Sequence, residues 1–268
     1  MLITLDLGNT SISAGIFSAG KPVAKSRFLY STFPNNIKKW VNGGGYKLDS
    51  AIFCSVNPRF SSILKSLLRE FVPGNRIIQL RNSHIPIENR YKNKNQAGID
   101  RLVNVFGGGK IYGFPCLVID IGTAITFDLG SPKGAFEGGL IFAGPNLAFN
   151  ALQTGTAKIG KFPLKFSGKR SLIGRNTREC VIEGIASGYG NIIRGLIGEF
   201  KRYSKRKWKM KLRVLVTGGY INVIKPYLSK DDHCDEFLTL KAMAHLYNIE
   251  KVGRVGRRRP HEISNETR

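Results

Sequence analysis

The chain has 268 residues, 42% of them hydrophobic, enough to bury one large core or two compact ones and too apolar for a disordered protein. Lys and Arg number 42 against 18 Asp and Glu, a formal charge of +24 that favours polyanionic partners such as nucleotides, nucleic acid or an anionic membrane surface. No apolar run approaches the roughly 20 residues that span a bilayer, and the opening Met1-Leu2-Ile3-Thr4-Leu5-Asp6 lacks a basic leader, so a soluble cytoplasmic protein is expected.

In chain order, residues 1–7 read as a buried strand ending at Asp6, followed by the turn chemistry of Gly8-Asn9-Thr10. Residues 12–17 return as a second strand, and 22–29 add a third. Residues 51–56 form a short apolar strand closed by Asn57-Pro58. Phe60, Ile63, Leu64, Leu67, Leu68 and Phe71 then recur at helical spacing, before another strand at 76–80. The order restarts near 115: strand 115–120 ends in Asp120, Ile121-Gly122-Thr123 is a turn, and 124–129 returns. The two segments Leu5-Asp6-Leu7-Gly8-Asn9-Thr10 and Ile119-Asp120-Ile121-Gly122-Thr123-Ala124 match as an internal duplication. A long amphipathic helix spans 179–203, with an apolar face from Val181 through Ile192 to Phe200. A strand at 214–216 runs into Thr217-Gly218-Gly219, and 237–247 reads as a last helix. From 251 the chain turns basic and aperiodic, as a flexible tail does.

Cys54, Cys116, Cys180 and Cys234 form no CxxC pair and read as buried reduced thiols, and His84, His233, His245 and His261 show no metal spacing. The densest basic run, residues 201–211, reads as a solvated helix end. The interleaved Tyr203 and Trp208 leave room for stacking against nucleic acid.

Phosphoryl transfer needs close backbone and hydroxyl donors, a carboxylate near the metal, and a base for the nucleophile. Gly8 and Gly122 admit close backbone approach; Asn9, Thr10 and Thr123 supply donors; Asp6 and Asp120 suit cations that neutralise phosphate charge. Thr217-Gly218-Gly219 offers a flat surface for adenine or ribose. Walker A and G-x-G-x-x-G motifs are absent. Gly98-Ile99-Asp100-Arg101 heads a helical pattern, where acid and base could simply cap the helix. In this context Asp100 is a candidate general base and Arg101 a phosphate or carboxylate clamp.

Together these segments, with Gly138-Gly139 and Thr156-Ala157, resemble the type III pantothenate kinases, relatives of the Bvg accessory factor proteins, over nearly the whole chain. The resemblance implies an α/β fold of two tandem RNase-H-like, actin- and hexokinase-like domains around a cleft, at 1–113 and 114–250, with a basic tail at 251–268. It implies a homodimer that phosphorylates the primary hydroxyl of pantothenate with ATP, using Mg²⁺ and a monovalent cation, K⁺ or NH₄⁺. By the same match, Asp6, Leu7, Gly8, Asn9, Thr10, Ser11, Ile12, Ser13 and Thr123 bind ATP, and Asp120 holds the monovalent cation. Tyr91, Gly98, Ile99, Asp100, Arg101 and Thr177 line the pantothenate site, with Asp100 the proton acceptor. The chain departs from the family pattern at Ala143-Gly144-Pro145, at Tyr220 and at Leu240-Lys241-Ala242. A kinase for another small alcohol, or a regulatory protein binding nucleotide and nucleic acid, are the alternatives.

Overall fold

A computed structural model describes residues 1–166 and 171–256. The first apolar run forms β1 (Leu2–Leu7), which returns antiparallel as β2 (Ser11–Ser18) and continues into β3 (Lys21–Leu29). Next comes α1 (Phe33–Gly43), a helix not anticipated from the sequence; Phe33, Ile37 and Val41, four apart, form its buried stripe. β4 (Ser50–Ser55) runs parallel to β1. Asn57 caps α2 (Pro58–Leu68) by accepting from the Phe60 amide at 3.4 Å. β5 (Ile77–Gln79) pairs parallel with β4, and α3 (Ile99–Tyr112) closes the first half.

The second half repeats the plan with β6 (Cys116–Ile121), β7 (Ala124–Gly130) and β8 (Phe136–Ala143), then α4 (Pro145–Gly155) and α5 (Thr177–Trp208). β9 (Arg213–Thr217), α6 (Ile221–Ile224), β10 (His233–Cys234) and α7 (Leu238–Gly256) complete it. The sheets have orders β3-β2-β1-β4-β5 and β8-β7-β6-β9-β10, each with the first two pairings antiparallel and the last two parallel. The duplication read from two short motifs therefore extends to whole sheets. β1 and β6 occupy the centres, which is why they read as near-continuous apolar runs.

Two helices run past their expected ends. α5 continues beyond 203 to Trp208, where Lys205, Arg206 and Lys207 complement the negative end of its dipole and Lys209 leaves it in the left-handed conformation. α7 continues beyond 247 to Gly256; the rest of the basic tail, 257–268, lies outside the described residues. No described helix is long and apolar enough to cross a membrane.

α1 and α2 cover one face of the first sheet, where Phe33, Ile37, Leu64 and Leu68 meet Ile3 and Leu5. α5 covers one face of the second, with Ile193 and Ile197 against Leu117 and Phe127. Between the sheets lies a shared core: Val103 and Phe106 of α3 and Leu240 and Met243 of α7 meet Phe17 and Ile52 from the first sheet and Val118 and Leu215 from the second. α3 packs on β6 and β7, and α7 packs back on β1, β2 and β4, so each half contributes a helix to the other's sheet. Gly107 permits this close pairing, since a Cβ there would sit 2.3 Å from the Ala242 Cβ. Tyr112 and Lys241 both donate to Asp235 Oδ2, at 2.7 and 2.8 Å, which ties the end of α3 to the start of α7.

Candidate active site

The two hairpin turns meet. Thr10 Oγ1 and Thr123 Oγ1 lie 3.1 Å apart, across the cleft between the sheets. The first turn is one residue longer: residues 8–11 separate the paired Leu7 and Ile12, whereas 122–124 separate Ile121 and Ile125. Each turn is closed by its glycine amide, Gly8 N to Ser11 O at 3.1 Å and Gly122 N to Ala124 O at 3.0 Å. Among the expected ATP-binding positions, Asn9 and Thr10 are exposed and Ser11 and Ser13 partly so. Leu7 and Ile12 are fully buried, leaving only their backbone for a ligand.

Three carboxylates converge beneath the turns. Asp6, at the tip of β1, accepts from Cys54 Sγ at 3.3 Å. Asp120, at the matching place on β6, accepts from Asn104 Nδ2 at 3.2 Å, and Asn104 is held in turn by Thr239 of α7 at 2.7 Å. Asp100, in the first turn of α3, folds back over Gly98, whose Cβ would lie 2.5 Å from Asp100 Oδ1. That oxygen accepts from the Arg101 amide at 3.0 Å. Gly218, at φ +96°, brings the loop after β9 onto Asp120: a Cβ there would lie 2.5 Å from Asp120 Oδ1.

Burial raises all three acids, and neighbouring carboxylate charge adds to it at Asp6 and Asp120. Burial, then the Asp100 charge, pushes Asp6 up to about 6. Burial, then Asp6 and Asp100, pushes Asp120 up to about 7. Burial also raises Asp100, against the Arg101 amide and charge. Such a cluster calls for cations. Among the described residues no three His, Cys, Asp or Glu side chains form a ready-made cage. That donor set fits Mg²⁺, which takes one or two carboxylates and completes its shell with water and phosphate oxygens.

A stability prediction follows. Because its carboxyl is raised, Asp120 holds its proton more tightly in the folded than in the unfolded chain. It favours the fold at low pH, and that contribution is lost as pH climbs from 3.8 through about 7. Without added metal, Asp120→Asn should therefore melt above the wild type at pH 8 and level with it at pH 4. A difference independent of pH, in scanning calorimetry, would refute this.

Arg101, expected as a phosphate or carboxylate clamp, is buried and already engaged by the protein. It is 5% exposed. Its Nε donates to Asp128 Oδ1 at 2.6 Å and its Nη1 to the Tyr91 hydroxyl, while Nη2 lies 2.6 Å from the same Asp128 oxygen without hydrogen-bond alignment. Asp128 Oδ2 accepts from Thr126 at 2.7 Å, and burial raises its pKa to about 6 despite the arginine. The guanidinium carbon also sits 5.5 Å from both the Tyr91 and Phe136 ring centres. Tyr91, Asp100 and Arg101 thus meet at one end of α3, beside Gly138, whose Cβ would stand 3.1 Å from Tyr91 Cε1. Ile99 packs into the core between the sheets.

Thr177 stands apart. It opens α5 and lines a separate cleft of about 890 Å³ with Leu152, Ile159, Tyr189 and Ile192. Asp128, Thr126, Asn104 and Thr239 were not anticipated as site residues. One signal was available for the first: Thr126-x-Asp128 places two polar groups on one face of an apolar strand, and a buried acid there requires a partner. In the basic run, Tyr203 and Trp208 pack edge-on against each other, 5.6 Å apart, and lie half-buried against the core under α5. Lys201 and Lys211 pair with Asp232 and Asp231. Of the four free cysteines expected to be buried, Cys54 and Cys116 are, whereas Cys180, in the first turn of α5, and Cys234, on the edge strand β10, are exposed.

Two five-stranded sheets of identical topology, joined by a cleft with a D-x-G turn from each, define the actin-like ATPase superfold of tandem RNase-H-like domains. The fold is shared with a Baf-family transcriptional activator from Campylobacter jejuni, at TM-score 0.59 and 17% identity over 93% of this chain and 99% of that one. It is also shared with the activator of 2-hydroxyisocaproyl-CoA dehydratase from Clostridium difficile, at TM-score 0.56 and 12% identity over 100% and 99% of the two chains. A family model described as type III pantothenate kinase matches residues 2–199. Type III pantothenate kinases from Persephonella marina and Caulobacter vibrioides are 33% and 30% identical, over 92% and 94% of this chain and 98% of each of theirs. The chain belongs to the type III pantothenate kinase family, kinases that phosphorylate pantothenate in coenzyme A biosynthesis.

Proposed function

We propose that this chain transfers the γ-phosphoryl group of ATP to the primary hydroxyl of pantothenate, giving 4'-phosphopantothenate by direct in-line displacement. The observation that carries the reading is the convergence of Asp100 with both D-x-G turns in one cleft, in a chain of this family. Asp100 takes the hydroxyl proton; its raised pKa brings it nearer the operating pH of a general base. Asn9, Thr10, Thr123 and the backbone of residues 6–13 hold the phosphates. Tyr91 and Arg101, with the Gly98 turn, orient the acceptor. Arg101 reaches it already locked by Asp128, a preorganised donor rather than a mobile one.

Mg²⁺ would supply charge neutralisation on the phosphates and would be held from the protein side by Asp6, and Asp120 would hold K⁺ or NH₄⁺. The lobes are taken as 1–113 and 114–250, closing over the substrates to exclude water. A homodimer is supported by the apolar cleft at Thr177 and by exposed Leu172 and Ile173 beside it, at 90% and 69%. Thr177 would then complete the acceptor site of the partner subunit. A cytoplasmic location follows from the substrates.

The test is incubation with ATP, Mg²⁺ and pantothenate in K⁺ or Na⁺, following ADP and phosphopantothenate. K⁺-stimulated product supports the reading. ATP binding without product would redirect it to another alcohol acceptor.

A further inference from the structure

The duplicated sheets allow each cleft residue to be compared with its counterpart. Across the first sheet, Cys54, Asp6, Ser13 and Arg27 stand directly opposite one another on β4, β1, β2 and β3. Residues opposed in this way project from the same face, about 4.8 Å apart along the row. Across the second sheet the equivalent row is Thr217, Asp120, Thr126 and Ile141. The rows agree in placing the cleft carboxylate one residue before the end of the central strand and a hydroxyl beside it. They disagree at the fourth position, where the first sheet carries a guanidinium and the second an exposed isoleucine.

That guanidinium leans across the cleft. Arg27 Nη1 lies 2.2 Å from where a Cβ on Gly219 would be, and its Cζ 3.2 Å away, so the second glycine of Thr217-Gly218-Gly219 leaves the space that Arg27 occupies. Its charge is felt by Asp6 on one side and Tyr220 on the other. Among the described residues it forms no ion pair or hydrogen bond, whereas Lys25, two residues earlier on β3, is paired with Glu236. Arg101, the arginine beside the proposed base Asp100, is committed to Asp128. The cleft therefore holds Asp6, Asp100 and Asp120 with one uncommitted arginine at its rim, next to the turns that must receive a polyanion.

We propose that Arg27 is a polyphosphate-binding residue of this cleft, its guanidinium donating to the phosphoryl oxygens of a nucleoside triphosphate from the β3 side. The inference rests on reading the cleft as a nucleotide site and extends the phosphate machinery beyond the two turns. A planar guanidinium suits this task because it offers paired donors to phosphate oxygens.

The experiment is calorimetric titration of the full chain with β,γ-imido-ATP and Mg²⁺, and separately with AMP. Arg27→Gln should weaken the triphosphate analogue by about tenfold to a hundredfold, as expected for lost charge-assisted hydrogen bonds. AMP affinity and the melting temperature should stay at wild-type values. Arg27→Lys, which keeps the charge without the fork, should fall between, and it decides the matter if the glutamine variant folds poorly. Unchanged triphosphate affinity would overturn the proposal. So would equal losses for AMP, which would make Arg27 a strut against Gly219. A wild type that binds the analogue yet phosphorylates no pantothenate would defeat the acceptor assignment and leave Arg27 standing.

Discussion

Asp100→Asn is expected to lower kcat by about 100- to 10,000-fold, the usual contribution of a positioned general base. The amide keeps the shape of the side chain and can still accept from the Arg101 amide, but it cannot take a proton. It also removes one of three mutually repelling carboxylates, so the variant should fold and melt no lower than the wild type. Affinity for a non-hydrolysable ATP analogue should be retained or improved. Single-turnover ADP formation, measured beside analogue binding, separates these effects. A variant keeping more than about a tenth of wild-type turnover would remove Asp100 from the role of base.

Arg101→Leu is expected to cost about 3–5 kcal/mol of stability, the penalty for leaving a buried carboxylate without its cation. Asp128 is fully buried and would retain only Thr126. In a chain of this size that amounts to a fall of roughly 6–20 °C in melting temperature. The double variant Arg101→Leu, Asp128→Leu should recover most of the loss, because the interior no longer holds an isolated charge. It should not recover turnover, since the acceptor would have lost its donor. Scanning calorimetry of the three proteins gives the comparison. A single variant melting within about 2 °C of wild type would mean that Asp128 is far better solvated than its burial indicates.

What could be read from the amino acids alone follows the range of the interactions. β1, β2, β6 and β7 were legible because each hairpin is local, with its apolar strand, acid, glycine and return contiguous in the chain. Asp6, Asp100 and Asp120 were legible for the same reason, each lying at the end of its own element. The partners that define their environment were not. Asp128 answers Arg101 from β7, Thr239 reaches Asn104 from α7, and Arg27 faces Gly219 across the cleft. None of these pairs leaves a periodic signal, because sequence pattern reports which face a residue takes and not which element arrives there. α1 was missed for a different reason: a stripe of Phe33, Ile37 and Val41 sits among Asn, Lys and Gly that resemble a loop.

The interlocked helices carry a consequence for biosynthesis. α7 covers the face of β1, β2 and β4 from which Phe17 and Ile52 project, yet among the described elements it is the last to be made. The nascent first sheet therefore leaves the ribosome with that apolar face uncovered, and it stays so while the whole stretch from the end of β4 at Ser55 to the start of α7 at Leu238 is synthesised. Contacts so distant along the chain slow folding and prolong the exposure of sticky surface. A ribosome stalled before α7 should carry a protease-sensitive, chaperone-bound first sheet, and release of the complete chain should convert it to the resistant form.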